Sequence, residues 1–229
     1  VKQYGCKRSG TCYTAALVAK NFPGTKVIVH GLGGKHGDPA DFSQCQCDAG
    51  LREAVDAGLV RCMIAVKNPY AWVNSYTTAH VRWSKTFHEH YTRDQLDATR
   101  WCCQLWNHSN RLWAEMPKWR LFVRHEDLLE DFIGAMHRLQ TELRLPKPAR
   151  YVNVVHHMTP NDSESTRYFD PNPYLRKTYM QKLGLARCAE IDTHIDWELA
   201  RQLGYDIGGT VRPIQPPYDK ALGAPCDAK

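Results

Sequence analysis

Two clusters of residues in this chain have the types and spacing to hold anions. The first is Tyr4-Gly5-Cys6-Lys7-Arg8-Ser9-Gly10-Thr11-Cys12, which follows an apolar start and opens an apolar helical stretch. A glycine-bearing loop in that context turns backbone N–H groups at the helix start toward an anion. The helix dipole adds to them, and Lys7 or Arg8 neutralises the anion's oxygens. Gly10 permits a close approach of backbone to ligand. The second cluster is Lys67-Asn68-Pro69, with Ser75 eight residues after the lysine. Lys67 closes an apolar strand, at the edge where open α/β sheets bind ligands, and Ser75 falls about two turns into the following helix. One charge and one hydroxyl so placed suit a second phosphate. Each cluster also has a plainer reading: a tight turn with solvated basic residues, and a capped helix beside a lysine.

The elements that must position these residues alternate between strand and helix. Val1 to Cys6 reads as the end of a buried strand, Thr11 to Asn21 as a helix closed by Pro23-Gly24, and Thr25 to His30 as a second strand. A polar, Gly-rich loop follows from Gly31 to Cys47, then a helix over Asp48 to Ala57 and a continuous apolar strand over Leu59 to Val66. Pro69 suits a first helical turn, with Tyr70 to Trp83 behind it. Further helices are expected over Arg93 to Glu115, Asp127 to Leu143 and Ala189 to Leu203, and a strand over Trp119 to Val123. His156 to Asn172 reads as a polar loop. This order predicts an α/β protein: a single domain over residues 1–207 with a central, mostly parallel sheet flanked by helices. Residues 208–229 form a Pro-rich C-terminal tail.

Composition sets the outer limits. The 229 residues carry 30 Lys and Arg against 24 Asp and Glu, a formal charge of +6, with 43% hydrophobic residues. That is enough chain to bury a core without staples, and too aromatic for a disordered or fibrous protein. The basic balance suits an anionic ligand without marking a nucleic-acid binder, so no nucleic acid is expected as partner. No run of eighteen apolar residues occurs, so no membrane span is expected. A cytoplasmic location is favoured, with a secretory lumen the other option if a leader or anchor has been removed. Nine cysteines at dispersed spacing form neither a disulfide framework nor a clean metal pattern. Cys45-Gln-Cys47 has one intervening residue, and no metal is expected.

The loop Arg8-Ser9-Gly10-Thr11 resembles the 5′-phosphosulfate loop of sulfotransferases that use 3′-phosphoadenosine 5′-phosphosulfate. Lys67-x-Pro69 with Ser75 is similar to that family's 3′-phosphate site, with Lys in place of the usual Arg. That exchange keeps the charge and loses the bidentate fork. His125-Glu126-Asp127-Leu128 after a strand, and Leu203-Gly204-Tyr205, are similar to further family segments. The likeness runs from the first strand to about residue 207.

The resemblance implies a P-loop-like sulfotransferase fold and transfer of a sulfuryl group to a hydroxyl or amine of a small-molecule or glycan acceptor, leaving adenosine 3′,5′-bisphosphate. It implies that Lys7, Arg8, Ser9, Gly10, Thr11 and Cys12 hold the 5′-phosphosulfate, and that Lys67 and Ser75 hold the 3′-phosphate. Arg176 and Lys177 are candidates for a basic segment closing over the donor. The general base implied is His36 or His30, with Glu53 a further candidate and Lys35 bridging to the transferring group. A P-loop-like small-molecule or nucleotide kinase is the alternative, disfavoured because Thr11 stands where a Walker loop needs Lys. A noncatalytic anion-binding module is the third reading.

Overall fold

A computed structural model of the chain describes residues 1–28, 53–54, 57–83, 85–115, 120–154 and 170–211. Three short apolar runs pair side by side as parallel strands: β1 (Lys2–Gly5), β2 (Cys62–Val66) and β3 (Arg120–Arg124), in the order β1-β2-β3. The register sets Gly5 opposite Ala65 and Val66 opposite Arg124. All three strands therefore end on one edge of the sheet. The strand expected over Thr25 to His30 contributes, among the described residues, a single parallel bridge between Lys2 and Ile28.

Both faces of the sheet are covered, which is why β2 reads as an unbroken apolar run. Ile64, Val66 and Phe122 point into one core with Trp72, Trp106 and Trp113. Met63, Leu121 and Val123 point into the other with Leu17, Val18, Leu128 and Met136. This is the period-two alternation of a strand with helices on either side.

Among the described residues the helices include α1 (Thr11–Asn21), α2 (Pro69–Trp83), α3 (Lys85–Arg93), α4 (Gln95–Ala114), α5 (His125–Glu130), α6 (Phe132–Glu142), α7 (Asn172–Leu175), α8 (Thr178–His194) and α9 (Trp197–Gln202). Glu53 and Ala54 are also helical, and the rest of the helix expected over Asp48 to Ala57 lies largely outside the described residues. α1 and α2 match the expected spans closely. The helix expected over Arg93 to Glu115 is likewise found, as α4, and two others depart from expectation for a shared reason, an aspartate that caps a new helix in place of continuing the old one. Asp131 accepts from Gly134 N at 3.0 Å and splits the helix expected over Asp127 to Leu143 into α5 and α6. Asp196 accepts from Leu199 N at 3.1 Å and starts α9, dividing the helix expected over Ala189 to Leu203. Asp94 receives the Leu96 and Asp97 amides at 2.9 Å and starts α4 two residues after Arg93. Apolar periodicity continues across each break, whereas a short acceptor satisfying helix-start amides stops the backbone.

After α9, β4 (Tyr205–Asp206) pairs antiparallel with β5 (Thr210–Val211), so regular structure continues past residue 207. The architecture is α/β, with a small three-stranded parallel sheet between helical layers. Among the described residues no helix is long and apolar enough to cross a membrane.

Candidate anion-binding site

The site begins where β1 leaves the sheet. Gly5 has a φ of 147°, and a Cβ there would lie 2.5 Å from the Ala65 carbonyl oxygen and 2.8 Å from Thr11 Cγ2. Only glycine lets the chain pass between β2 and the start of α1. The next four residues turn back on themselves, with Ser9 N donating to Cys6 O at 3.1 Å. Arg8, third in the turn, has a φ of 71°. A left-handed conformation costs a residue with a Cβ about 1–2 kcal/mol, and it persists because neighbours hold both carbonyls of the turn. Trp72 Nε1 donates to Lys7 O at 2.8 Å, and Lys67 Nζ donates to Arg8 O at 3.1 Å.

Gly10 is the N-cap of α1, at φ 85°, and a Cβ on it would meet His125 Nδ1 at 2.6 Å. A glycine cap supplies no side-chain acceptor to the first turn, and no acidic residue lies in that turn. The positive end of the helix therefore faces the loop without an internal anion.

Lys67 extends this positive region from below. Only 3% of it is exposed. Besides Arg8 O, its ammonium donates to the Tyr174 hydroxyl at 3.2 Å and sits 4.4 Å from the centre of that ring. Trp106 Nε1 fixes the Lys67 carbonyl at 3.1 Å. Among the described residues Lys67 forms no ion pair, so its charge is met by neutral oxygens and a ring. Burying an ammonium on those terms is unfavourable, and an anion reaching it would recover that loss. Ser75, half-buried on α2, is close enough for its hydroxyl to bear on the Tyr174 phenol. The Lys67 charge outweighs burial and, with Arg8 and the Ser75 hydroxyl, holds the Tyr174 phenol below its ordinary pKa.

A buried carboxylate braces the turn that presents Lys67. Glu126, the second residue of α5, accepts from Asn68 N at 3.0 Å through one oxygen and from the Tyr205 hydroxyl at 2.8 Å through the other. Burial pushes its pKa up, and these hydrogen bonds and the Lys67 charge pull it back. Arg124 adds a second tie, donating to Asp127 at 2.9 Å and to Gly204 O at 3.2 Å. The His125-Glu126-Asp127 and Leu203-Gly204-Tyr205 segments thus meet beneath the Lys67-Asn68-Pro69 turn.

Of the residues expected at the donor site, Lys7, Arg8, Ser9, Gly10, Thr11 and Cys12 lie together in the loop and first turn of α1, with Lys7 exposed and Ser9 and Thr11 buried. Lys67 and Ser75 join them at the sheet edge. Arg176, which is exposed, and Lys177 occupy the turn after α7, but the residue of that segment that reaches the site is Tyr174. Glu53 is exposed, and His30, Lys35 and His36 lie outside the described residues.

Sequence reasoning missed three participants. Tyr174 and Glu126 act through contacts between distant segments and carry no local signal for them. The third is His80, stacked on Tyr76 with ring centres 3.9 Å apart, while Tyr76 packs on Trp72 at 4.7 Å. Burial, then the charges of Lys7 and Arg8, hold the His80 imidazole below its ordinary pKa, so it lies within electrostatic reach of the loop. The successive four-residue steps from Trp72 to Tyr76 to His80 mark one helix face and were the readable clue. Comparison with protein-family models, with curated proteins and with solved structures finds no match for this chain.

Proposed function

We propose that this protein is a sulfotransferase that moves a sulfuryl group from 3′-phosphoadenosine 5′-phosphosulfate to a hydroxyl or amine of a small-molecule or glycan acceptor. The observation that carries the reading is the Lys67 Nζ to Arg8 O hydrogen bond of 3.1 Å, which joins two anion motifs 59 residues apart into one positive region. A ligand with phosphates at both ends of a nucleoside suits such a paired cradle. Its parallel-sheet edge is the usual location for nucleotide sites in α/β folds.

In this reading Lys67 and Ser75 take the 3′-phosphate. Arg8, the loop amides and the start of α1 take the 5′ end. The acceptor oxygen or nitrogen bonds to sulfur as the bond from sulfur to the 5′-phosphate oxygen breaks. Arg8 and the loop N–H groups stabilise the negative charge left on that phosphate, and His36 or His30 receives the acceptor's proton. In support of this role, the Trp72 and Lys67 side chains already satisfy the Lys7 and Arg8 carbonyl oxygens.

Calorimetric titration with adenosine 3′,5′-bisphosphate, 5′-AMP and ATP, without Mg²⁺, tests the donor site. The bisphosphate is expected to bind at least about tenfold more tightly than 5′-AMP, a difference of one charge-assisted phosphate contact. Ser75→Ala should narrow that gap. Equal binding of the two would remove the 3′-phosphate assignment, and tight ATP binding only with Mg²⁺ would favour a kinase.

A further inference from the structure

We propose that Tyr174 is a specificity-determining residue of the cradle, its hydroxyl oxygen standing where one oxygen of a ligand's phosphate must stand. The inference rests on the reading of Lys67 and Ser75 as a phosphate pair and goes further by naming what that phosphate must displace. Lys67 Nζ donates to Tyr174 Oη at 3.2 Å and sits 4.4 Å from the centre of the same ring. The lysine thus spends its charge on one oxygen, as it would on an oxygen of a phosphate.

That oxygen belongs to a side chain 107 residues from Lys67, carried on the single turn α7. The ring lies edge-on to His125 with centres 5.0 Å apart and tilted against Tyr179 at 6.4 Å. These contacts aim the phenol at the cradle. A neutral ribose hydroxyl offers Lys67 no more than the phenol already does, so it gains nothing by exchange. A phosphate dianion replaces a neutral acceptor with a charged one, and charge-assisted hydrogen bonds are roughly twice as strong as neutral ones. Tyr174 thereby makes entry depend on the ligand's charge, selecting a phosphorylated ribose over a bare one.

The phenol also couples entry to pH. Among the described residues the charged and titratable groups that bear on it include Lys67, Arg8, His125 and Tyr179, with the neutral Ser75 hydroxyl nearby. The lysine and arginine charges favour the phenolate. As pH rises toward the depressed phenol pKa, a phenolate pairs with Lys67 and closes the cradle more firmly against an anion.

Tyr174→Phe keeps the ring, with its packing and its contact to Lys67, and removes only the oxygen. Titration of wild type and Tyr174→Phe with inorganic phosphate should show the variant binding roughly fivefold more tightly at neutral pH. The ratio of the two affinities should grow as pH rises, a comparison in which phosphate's own ionisation cancels. A thermal melt within a few degrees of wild type confirms that the variant is folded. Unchanged or weaker phosphate binding by Tyr174→Phe, or a ratio flat with pH, overturns the inference. Failure of wild type to prefer the bisphosphate over 5′-AMP overturns the donor reading alone, because the phosphate comparison does not depend on the nucleoside.

Discussion

Lys67 and Arg187 are both buried cations that, among the described residues, make no direct ion pair with a carboxylate, yet their surroundings differ in kind. Arg187 on α8 is enclosed by hydroxyls: Nε donates to Thr99 at 2.9 Å, one terminal nitrogen to Tyr91 at 2.9 Å, and the other to Thr77 at 3.2 Å. These three partners come from α4, α3 and α2, so one guanidinium ties four helices together. Lys67 has a carbonyl from the loop after β1 and a phenol from the single turn α7, with a further positive charge, Arg8, nearby. A cation whose donors are spread over rigid helices is a scaffold element. One placed beside another cation at the open edge of a sheet is poised for an anion. The same helix serves both, since α2 sends Ser75 to the cradle and Thr77 to Arg187.

Substituting each cation with an apolar residue of similar length separates the two roles. Lys67→Met should lower affinity for adenosine 3′,5′-bisphosphate by about 100-fold, the scale of a lost charge-assisted contact, some 2.7 kcal/mol. It should move the melting temperature by only a few degrees, because the desolvation relieved by removing a buried ammonium is offset by the loss of its charge near buried Glu126. Arg187→Met should do the opposite. Three hydroxyls lose their donor inside a helix junction, and stability should fall by about 2 kcal/mol in denaturant unfolding. Preference for the bisphosphate should survive. If Lys67→Met unfolds the protein and Arg187→Met alone abolishes ligand preference, the two roles have been assigned the wrong way round.

The two cations were not equally legible in the sequence. Lys67 stands at a strand end before a proline, with a serine eight residues on, a pattern that a capped helix explains as well and that the family resemblance singles out. Arg187 sits in an ordinary polar helix, and its burial follows only from how α2, α3, α4 and α8 pack. The same division runs through the fold. The strand, loop and helix unit of Lys2 to Asn21 and the Val66 to Trp83 crossover were readable because each is short and bounded by glycine or proline. The breaks at Asp131 and Asp196 were hidden inside apolar periodicity that continues across them. At the site, the loop and the Lys67 to Ser75 pair were readable. Tyr174 was not, because its hydroxyl reaches Lys67 over 107 residues of chain, and the sequence points instead to the conspicuous charges of Arg176 and Lys177 two and three residues later.

A smaller effect tests whether the loop's shape, as distinct from its charge, matters to the cradle. Gly10→Ala places a methyl group within 2.6 Å of His125 Nδ1 in a left-handed backbone conformation. Relief requires movement of either His125 or the helix start. The expected loss is about 1–2 kcal/mol of stability from the backbone alone, with a parallel fall in phosphate affinity as the first-turn amides tilt away. Stability lost without any change in affinity would mean that the start of α1 takes no part in binding.

The smallest effect is read on an imidazole outside the cradle. His80 is held below its ordinary pKa by burial and then by the charges of Lys7 and Arg8. An anion bound at the loop offsets those charges, leaves the burial contribution in place, and so should raise the His80 pKa part of the way back. Following histidine ring resonances by NMR through a pH titration, with and without adenosine 3′,5′-bisphosphate, checks the sign. No burial argument predicts that rise, because a ligand adds bulk and removes water, which alone would lower the value further. An upward shift therefore reports charge neutralisation at Lys7 and Arg8, and its disappearance in Lys67→Met would tie that neutralisation to an anion held from both ends of the site. A downward shift would mean that the ligand covers His80 without meeting the loop, and would separate the aromatic face of α2 from the anion site.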